Sequence, residues 1–342
     1  PGDRVPCHSP WIGVITRMGF PEYFLVVADI VNWAKDHKIK VGAGRGSGAA
    51  SIVSYALKIT NLDPLFFGLS FERFLVEGRK SMPDFDLDFD DRYREDVIQY
   101  VRDTYGDDHV CQIATFSTVR AKSAIRDAGR VLGHEYQVIN HLASLVPPMV
   151  LGVTKTLEEA LDTPDMRKAY ENDPVAKEIL DAAFGLEGLY RQPGVHAAGV
   201  VITDKPVTDY APVMVVGRKK QVIATQWTMG WVERIGLLKI DFLGLINLSI
   251  LDVCLDYIKQ TTGEVIDLEE LPLDDAETFK QLCQGNTMGV FQLESSGMKD
   301  MAMAIQPQSI QDLMAIVSLY RPGPMGSGMD RMYVNRRHGR EK

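Results

Sequence analysis

Cysteine is scarce and scattered in this chain. Cys7, Cys111, Cys254 and Cys283 stand far apart and form no CxxC pair. That spacing excludes a zinc ribbon or a disulfide framework and leads us to expect free thiols in a reducing compartment. No apolar run approaches the ~20 residues of a membrane-spanning helix, and no secretory signal opens the chain. Internal repeats and low-complexity tracts are absent. Positive charge is also in deficit. The net charge is −9, from 37 Lys and Arg against 46 Asp and Glu. This argues against nucleic acid as a partner, because domains that bind it are usually basic. The basic residues are nevertheless clustered. Arg120, Lys122, Arg126 and Arg130 fall in one segment, and Arg331, Arg336, Arg337 and Arg340 in another. A chain that is acidic overall still meets phosphates through such patches and through metals.

What is present is ordinary for a globular protein: 342 residues, 45% hydrophobic and 24% charged. The length suits two or three domains. The chain opens Pro-Gly-Asp and ends Arg-Glu-Lys, so we expect a piece of something longer. Periodicity predicts helices over 10–37, 49–57, 92–104 and 246–259, and strands over 38–41, 84–90, 195–203, 221–226 and 237–242. The stretch 117–190 reads as mostly helical, broken at Pro147-Pro148, and 268–320 as short helices between turns.

The most informative run is Pro83-Asp-Phe-Asp-Leu-Asp-Phe-Asp-Asp91. Aspartates at 84, 86, 88 and 90 alternate with Phe85, Leu87 and Phe89, and on a strand that puts a row of carboxylates on one face. Ionised, they repel unless cations sit between them. Hard oxygen ligands suit Mg²⁺, and paired Mg²⁺ ions serve phosphoryl transfer. Two other readings compete with this one. A solvated edge strand would deter aggregation better with mixed charges. An EF-hand loop would use Asp84, Asp86, Asp88 and Glu95, but Phe89 stands where it needs glycine.

Gly42-Ala-Gly-Arg-Gly-Ser-Gly48 lies between a short strand and a helix, where backbone amides approach an anion at the helix N-terminus. Walker A is excluded because no Gly-Lys-Ser/Thr ends the loop. Gly44, Gly46 and Ala49 fit the dinucleotide pattern, but Asp63 is misplaced for its acidic partner. A tight structural turn is the alternative. Arg45 and Ser47 favour phosphate. Farther on, Asp241 sits in the apolar strand Leu237–Phe242 and must be paired or liganded. Lys239 shares its face, available either to Asp241 or to a triphosphate.

Taken in order, Gly44-Arg-Gly-Ser-Gly48, Phe71-Glu-Arg-Phe74, Pro83-Asp-Phe-Asp86, Gly194-Val-His-Ala-Ala-Gly199-Val-Val, Lys239-Ile-Asp-Phe-Leu-Gly-Leu245 and Arg321-Pro-Gly-Pro324 resemble a known family over essentially the whole chain. It is the C-family of bacterial replicative DNA polymerases, the alpha subunits of DNA polymerase III. The resemblance implies a mixed α/β (α+β) fold whose palm is of the beta-type nucleotidyltransferase kind. Residues 1–115 and 194–243 would form this palm, 116–193 an inserted helical thumb, and 244–342 the start of a helical fingers domain. It places the catalytic, metal-binding aspartates on Asp84, Asp86 and Asp241, and triphosphate-binding residues on Arg45, Gly46, Ser47, Arg73 and Lys239. For Asp88 we expect a supporting contact or a salt bridge with Arg92. For His196 we expect a backbone-capping or core role, with a catalytic role as the alternative. Lys122, Arg126 and Arg130 recur every four residues on one helix face. They read either as contacts to primer–template DNA or as a solvated face paired with Asp127.

The implied reaction is template-directed attack of a primer 3′-OH on a deoxynucleoside triphosphate, assisted by two Mg²⁺ ions. One ion would activate the 3′-OH and the other would bind the triphosphate, with Asp84 and Asp86 bridging both and Asp241 holding the ion near the primer. Implied partners of the complete protein are the sliding clamp, a proofreading exonuclease and clamp-loader subunits in the bacterial cytoplasm, with no membrane. The PHP, clamp-binding and OB segments of the family are missing, as is the rest of the fingers, which leaves the activity of this piece open. A non-catalytic fragment binding metal and nucleic acid, and an error-prone (translesion) paralogue, are the competing expectations.

Overall fold

In the computed structural model, residues 10–78, 83–149, 154–217 and 221–341 are described. Cys111, Cys254 and Cys283 are free thiols; Cys7 lies outside the described residues. Among those residues no helix is long and apolar enough to cross a membrane.

The aspartate run forms β1 (Asp86–Asp90). Its apolar positions Phe85, Leu87 and Phe89 are buried in one cluster with Ile240 and Phe242. The period-two pattern therefore sorts side chains by face as expected. Five further strands complete a six-stranded mixed sheet: β2 (Val110–Thr118), β3 (Tyr190–Ile202), β4 (Val213–Val216), β5 (Val222–Thr225) and β6 (Lys239–Leu245). The order is β1-β6-β3-β2-β5-β4. β1 and β6 run parallel with Asp86 opposite Asp241, and β3 runs antiparallel to β6 with Gly199 opposite Asp241.

The covered face carries the helices Pro21–Asp36 and Arg94–Tyr105. The first has Pro21 at its start, where a missing N–H costs nothing. Gly19, at φ +79°, stops the preceding helix Pro10–Arg17 in a left-handed turn, so the predicted helix over 10–37 is two. Tyr23, Phe24, Val27, Ile30 and Val31 of the first helix are buried in the same cluster as the strands. Each such side chain contributes about 1.5–3 kcal/mol.

The predicted strand over 38–41 is reduced to a single bridge, Val41 to Phe89. The predicted helix over 49–57 is a 3-10 turn, Gly46–Ala50, followed by the short helix Ile52–Ala56. β2 and β4 lie where no strand was predicted. The first residues of β2 are buried on both faces, which erases the alternation that betrays a half-buried strand.

The chain divides into two compact units. One holds residues 1–115, 195–281 and 286–299; the other holds 116–194, 282–285 and 300–342. The first contains the covered face of the sheet and a smaller cluster of Ile113, Val201, Val232 and Leu237 on the other. The second has its own core, with Ile125, Leu142, Leu157, Met166, Ile179 and Leu180 from five helices.

Candidate active site

The opposite face of β1 and β6 carries charge. The parallel register sets Asp86 beside Asp241, and Asp84, just before β1, joins them. One carboxylate oxygen from each of Asp84, Asp86 and Asp241 lies within 4.8 Å of the others. These three come together although about 155 positions of chain separate the first two from the third.

Lys239 lies among them. Its Nζ donates to both oxygens of Asp84 at 2.9 Å and to Asp241 Oδ2 at 3.0 Å. The Lys239 side chain is 8% exposed, Asp241 13% and Asp84 48%. Burial alone would lower the lysine pKa, but the hydrogen bonds to Asp84 and Asp241 outweigh it, and the ammonium is held above its ordinary value. Asp86 is pushed the other way from a stable carboxylate. Burial raises its pKa, Arg45 opposes, and the charges of Asp84 and Asp241 add to the rise.

One buried oxygen in the cluster, Asp241 Oδ1, has no hydrogen-bond partner. A buried carboxylate oxygen without a donor is costly unless something positive meets it. Three carboxylates, one of them with an orphaned oxygen, form an all-oxygen donor set that suits a hard divalent cation. The residues present therefore fit a metal site.

The ligands are positioned by parts that sequence reasoning missed. The Tyr23 hydroxyl donates to the Lys239 carbonyl at 3.1 Å and accepts from the Phe85 N–H at 3.2 Å, tying the Asp84–Asp86 segment to β6. Burial raises the Tyr23 pKa, so the phenol stays protonated to donate. Arg94 donates to the Phe242 carbonyl and to the Ala197 carbonyl, both at 2.7 Å, joining β6 to β3. The sequence pattern places Tyr23 only within a helical stretch and gives no sign of its two strand contacts.

A profile described as the bacterial DNA polymerase III alpha NTPase domain matches residues 11–244, and one described as the finger domain of the same subunit matches 247–342. This chain belongs to the bacterial DNA polymerase III alpha family. Proteins named DNA polymerase III subunit alpha are similar to it along most of its length. That of Thermus aquaticus is 49% identical over 96% of the chain, that of Escherichia coli K12 47% over 96%, and that of Caulobacter vibrioides 48% over 92%. The chain spans only 27–28% of the length of these relatives.

Other residues singled out in this family member fall as follows. Arg45 reaches toward the aspartate face, its Nε 3.6 Å from Asp88 Oδ2 and 3.9 Å from Asp86 Oδ2. That Nε is buried and makes no hydrogen bond. Gly46, at φ +63°, is placed so that an added Cβ would lie 3.2 Å from Asp86 Oδ2. An added Cβ on Gly42 would meet the Asp88 Cβ at 2.9 Å, and one on Gly48 the Phe85 ring at 2.9 Å. The glycines thus let the loop lie against the carboxylate strand. Ser47 is exposed on this loop. The helix behind it, Ile52–Ala56, is only 5 residues long, and one of its first N–H groups is taken by Ser51 Oγ, which accepts from Ser54 N at 3.1 Å. Arg73 is exposed on the 3-10 turn Phe71–Arg73, which Phe71 anchors in the core.

Asp88 does not pair with Arg92. Arg92 donates to Asp90 and, at 2.7 Å, to Asp252. Asp88 instead has Arg45 as its cationic neighbour. Burial raises the Asp88 pKa, with Arg45 opposing and Asp86 adding to the rise. His196 accepts at Nδ1 from the Gly199 N–H at 2.7 Å and the Ala198 N–H at 3.3 Å, a backbone-capping geometry. Lys122, Arg126 and Arg130 lie on the helix Ala121–Val131 in the other unit. There Arg130 pairs with Asp127, and Arg126 donates to Asn140 Oδ1 at 3.0 Å.

Proposed function

We propose that this chain carries the metal-binding and triphosphate-binding part of a template-directed DNA polymerase acting in bacterial chromosomal replication. Residues 1–115 and 194–243 serve as its palm, 116–193 as a thumb and 244–342 as the start of the fingers. Primer–template DNA and deoxynucleoside triphosphates are its substrates. The observation that carries this reading is the convergence of the Asp84, Asp86 and Asp241 carboxylates, one of which, Asp241, keeps a buried oxygen without a hydrogen-bond partner.

In the reaction a bond forms between the primer 3′-oxygen and the α-phosphorus, the α–β phosphoanhydride bond breaks, and pyrophosphate leaves as the hydroxyl proton is lost to solvent. Asp84, Asp86 and Asp241 hold the cations. When bound, two Mg²⁺ ions supply activation of the 3′-hydroxyl and neutralisation of charge on the triphosphate. Arg45 and Lys239 offset the remaining phosphate charge, with Arg73 beside them in this role. Gly46 and Ser47 bring the loop backbone and a hydroxyl to the same anion. Lys122, Arg126 and Arg130 contact the DNA backbone, which positions duplex without reading sequence.

Primer extension tests this reading, using the 342-residue chain beside a longer family chain that contains it. Incorporation by at least the longer chain is expected, and Asp86→Asn or Asp241→Asn should lower it by roughly a thousandfold or more. Full incorporation by either variant would sink the site assignment. Binding of primer–template and metal without incorporation by either chain would favour a non-catalytic module. The Lys122, Arg126 and Arg130 triple variant should flatten the salt dependence of primer–template binding by up to about three contacts.

A further inference from the structure

Lys239 puts a positive charge between two of the carboxylates. Its Nζ makes three contacts of 2.9–3.0 Å to Asp84 and Asp241, a spacing comparable to that of charge-assisted hydrogen bonds. The lysine is nearly buried, so its ammonium has exchanged water for these two carboxylates. The remaining oxygen of Asp241 has no partner. One positive charge thus serves two negative ones, and Asp86 leans on Arg45 at a longer 3.9 Å.

We propose that Lys239 is the internal counter-ion of this site: its ammonium holds Asp84 and Asp241 together before divalent metal arrives, competes with the metal for both, and must give them up when it binds. This inference rests on the reading of Asp84, Asp86 and Asp241 as a metal site and goes beyond it. It assigns Lys239 two successive partners, first the ligand carboxylates and then the anionic substrate, whose charge replaces theirs. Three physical arguments support it. An ammonium and a divalent cation cannot share the same carboxylate lone pairs without strong repulsion. A buried ammonium left without partners is costly, so its release from the carboxylates needs a new anion nearby. A triphosphate supplies that anion, so metal and triphosphate should bind with positive coupling, each making room for the other.

The decisive comparison is divalent-metal binding to the 342-residue chain in the absence of nucleotide, measured by calorimetry with Mn²⁺ and Mg²⁺. Lys239→Met keeps the length and apolar stem of the side chain and removes the competitor. It should bind Mn²⁺ at least about tenfold more tightly than wild type, because the site gains a net negative charge. Lys239→Arg, which keeps the charge, should not. Without metal, Lys239→Met should melt below wild type, since two carboxylates then face each other unpaired, and saturating Mn²⁺ should recover the difference. Metal affinity in Lys239→Met equal to or weaker than wild type would overturn the proposal.

A measurement on the wild-type chain keeps the test alive if Lys239→Met does not fold. In protein carrying ¹⁵N-lysine, the Lys239 Nζ resonance, assigned by its loss in Lys239→Arg, should shift with Mg²⁺ along the calorimetric binding curve. A resonance that stays fixed while Mg²⁺ binds would also overturn it. If wild type and both Lys239 variants bind no divalent metal at all, the reading of the aspartates as a metal site falls with it. If wild type binds metal and loses that binding in Asp86→Asn, while Lys239→Met binds no tighter, only the counter-ion role falls.

Discussion

Gly199 faces Asp241 across β3 and β6 at a point where no side chain fits. A Cβ there would lie 2.9 Å from His196 Nδ1 and 3.0 Å from Ile113 Cδ1, and within 3.5 Å of Asp241 Oδ1. Neither obstacle is a free end, because His196 is fixed by two backbone N–H groups and Ile113 is fully buried. Gly199→Ala should therefore cost about 1–3 kcal/mol by overpacking. Gly230→Ala is the matched control: it lies in the helix Met229–Arg234 with open space around it, and should gain about 0.5–1 kcal/mol from helix propensity. Urea unfolding of the two variants checks both signs, and equal effects would contradict the steric account. At this scale the sequence was partly legible. Period two told which aspartates share a face, and an apolar strand around Asp241 showed that this carboxylate needed a partner. It offered Lys239 as a partner for Asp241, which the structure shows, but gave no sign that Asp84 shares that lysine. The contact of Lys239 with Asp84 depends on the β1–β6 register, which no local pattern encodes. The expected pair of Asp88 with Arg92 failed for a different, local reason: Asp90 is one side-chain alternation closer to Arg92 and captures it.

The Asp90–Arg92 pair joins two elements. Asp90 ends β1 and is fully buried; Arg92 bonds both its oxygens and reaches Asp252 on the helix Ile246–Thr262. Burial alone would raise the Asp90 pKa, but the Arg92 hydrogen bonds prevail and hold it below the ordinary carboxylate value. A carboxyl with a folded pKa below its unfolded one adds stability above the unfolded value, near pH 4, and loses it as pH falls through the folded value. Asp90→Asn should thus cost about 1–3 kcal/mol at pH 7, and the gap to wild type should narrow below about pH 4. Urea midpoints of both proteins from pH 7 downward test this, and a gap that is constant with pH would show that charge is not involved. Elements were legible where one face is apolar and the other polar, as in β1 and the helix Arg94–Tyr105. They were illegible where both faces are buried, as at the start of β2, or where the element is as short as β4. The glycine loop was legible as a turn, but its 3-10 geometry and the close approach of Gly48 to the Phe85 ring were not.

Over the whole molecule, acidic charge and a carboxylate site go together, and the division of the chain sets which parts can be tested apart. The chain crosses from one compact unit to the other between residues 115 and 116 and again between 194 and 195. Among the described residues, the core cluster between these crossings draws every member from residues 119–186. Ile125, Leu157, Met166, Ile179 and Leu180 within it are at most 1% exposed. Local signals agree with that core. Thr156 and Glu159 form a reciprocal capping box, and Asp173 caps the helix Pro174–Leu186 through Val175 N at 2.9 Å. Gly129 lets two helices meet so closely that a Cβ would strike Ile139. A segment whose caps, periodicity and buried side chains all point inward carries the conditions for folding alone, although its size leaves little margin. Residues 116–194 expressed by themselves should therefore show a helical far-UV spectrum and one cooperative urea transition. Leu180→Ala should lower the stability of that piece by about 2–5 kcal/mol, as a cavity in a working core does. A featureless spectrum, or a transition that Leu180→Ala leaves unmoved, would mean that this core needs residues 282–285 and 300–342 of its own unit, and that the inserted segment is not an independent thumb.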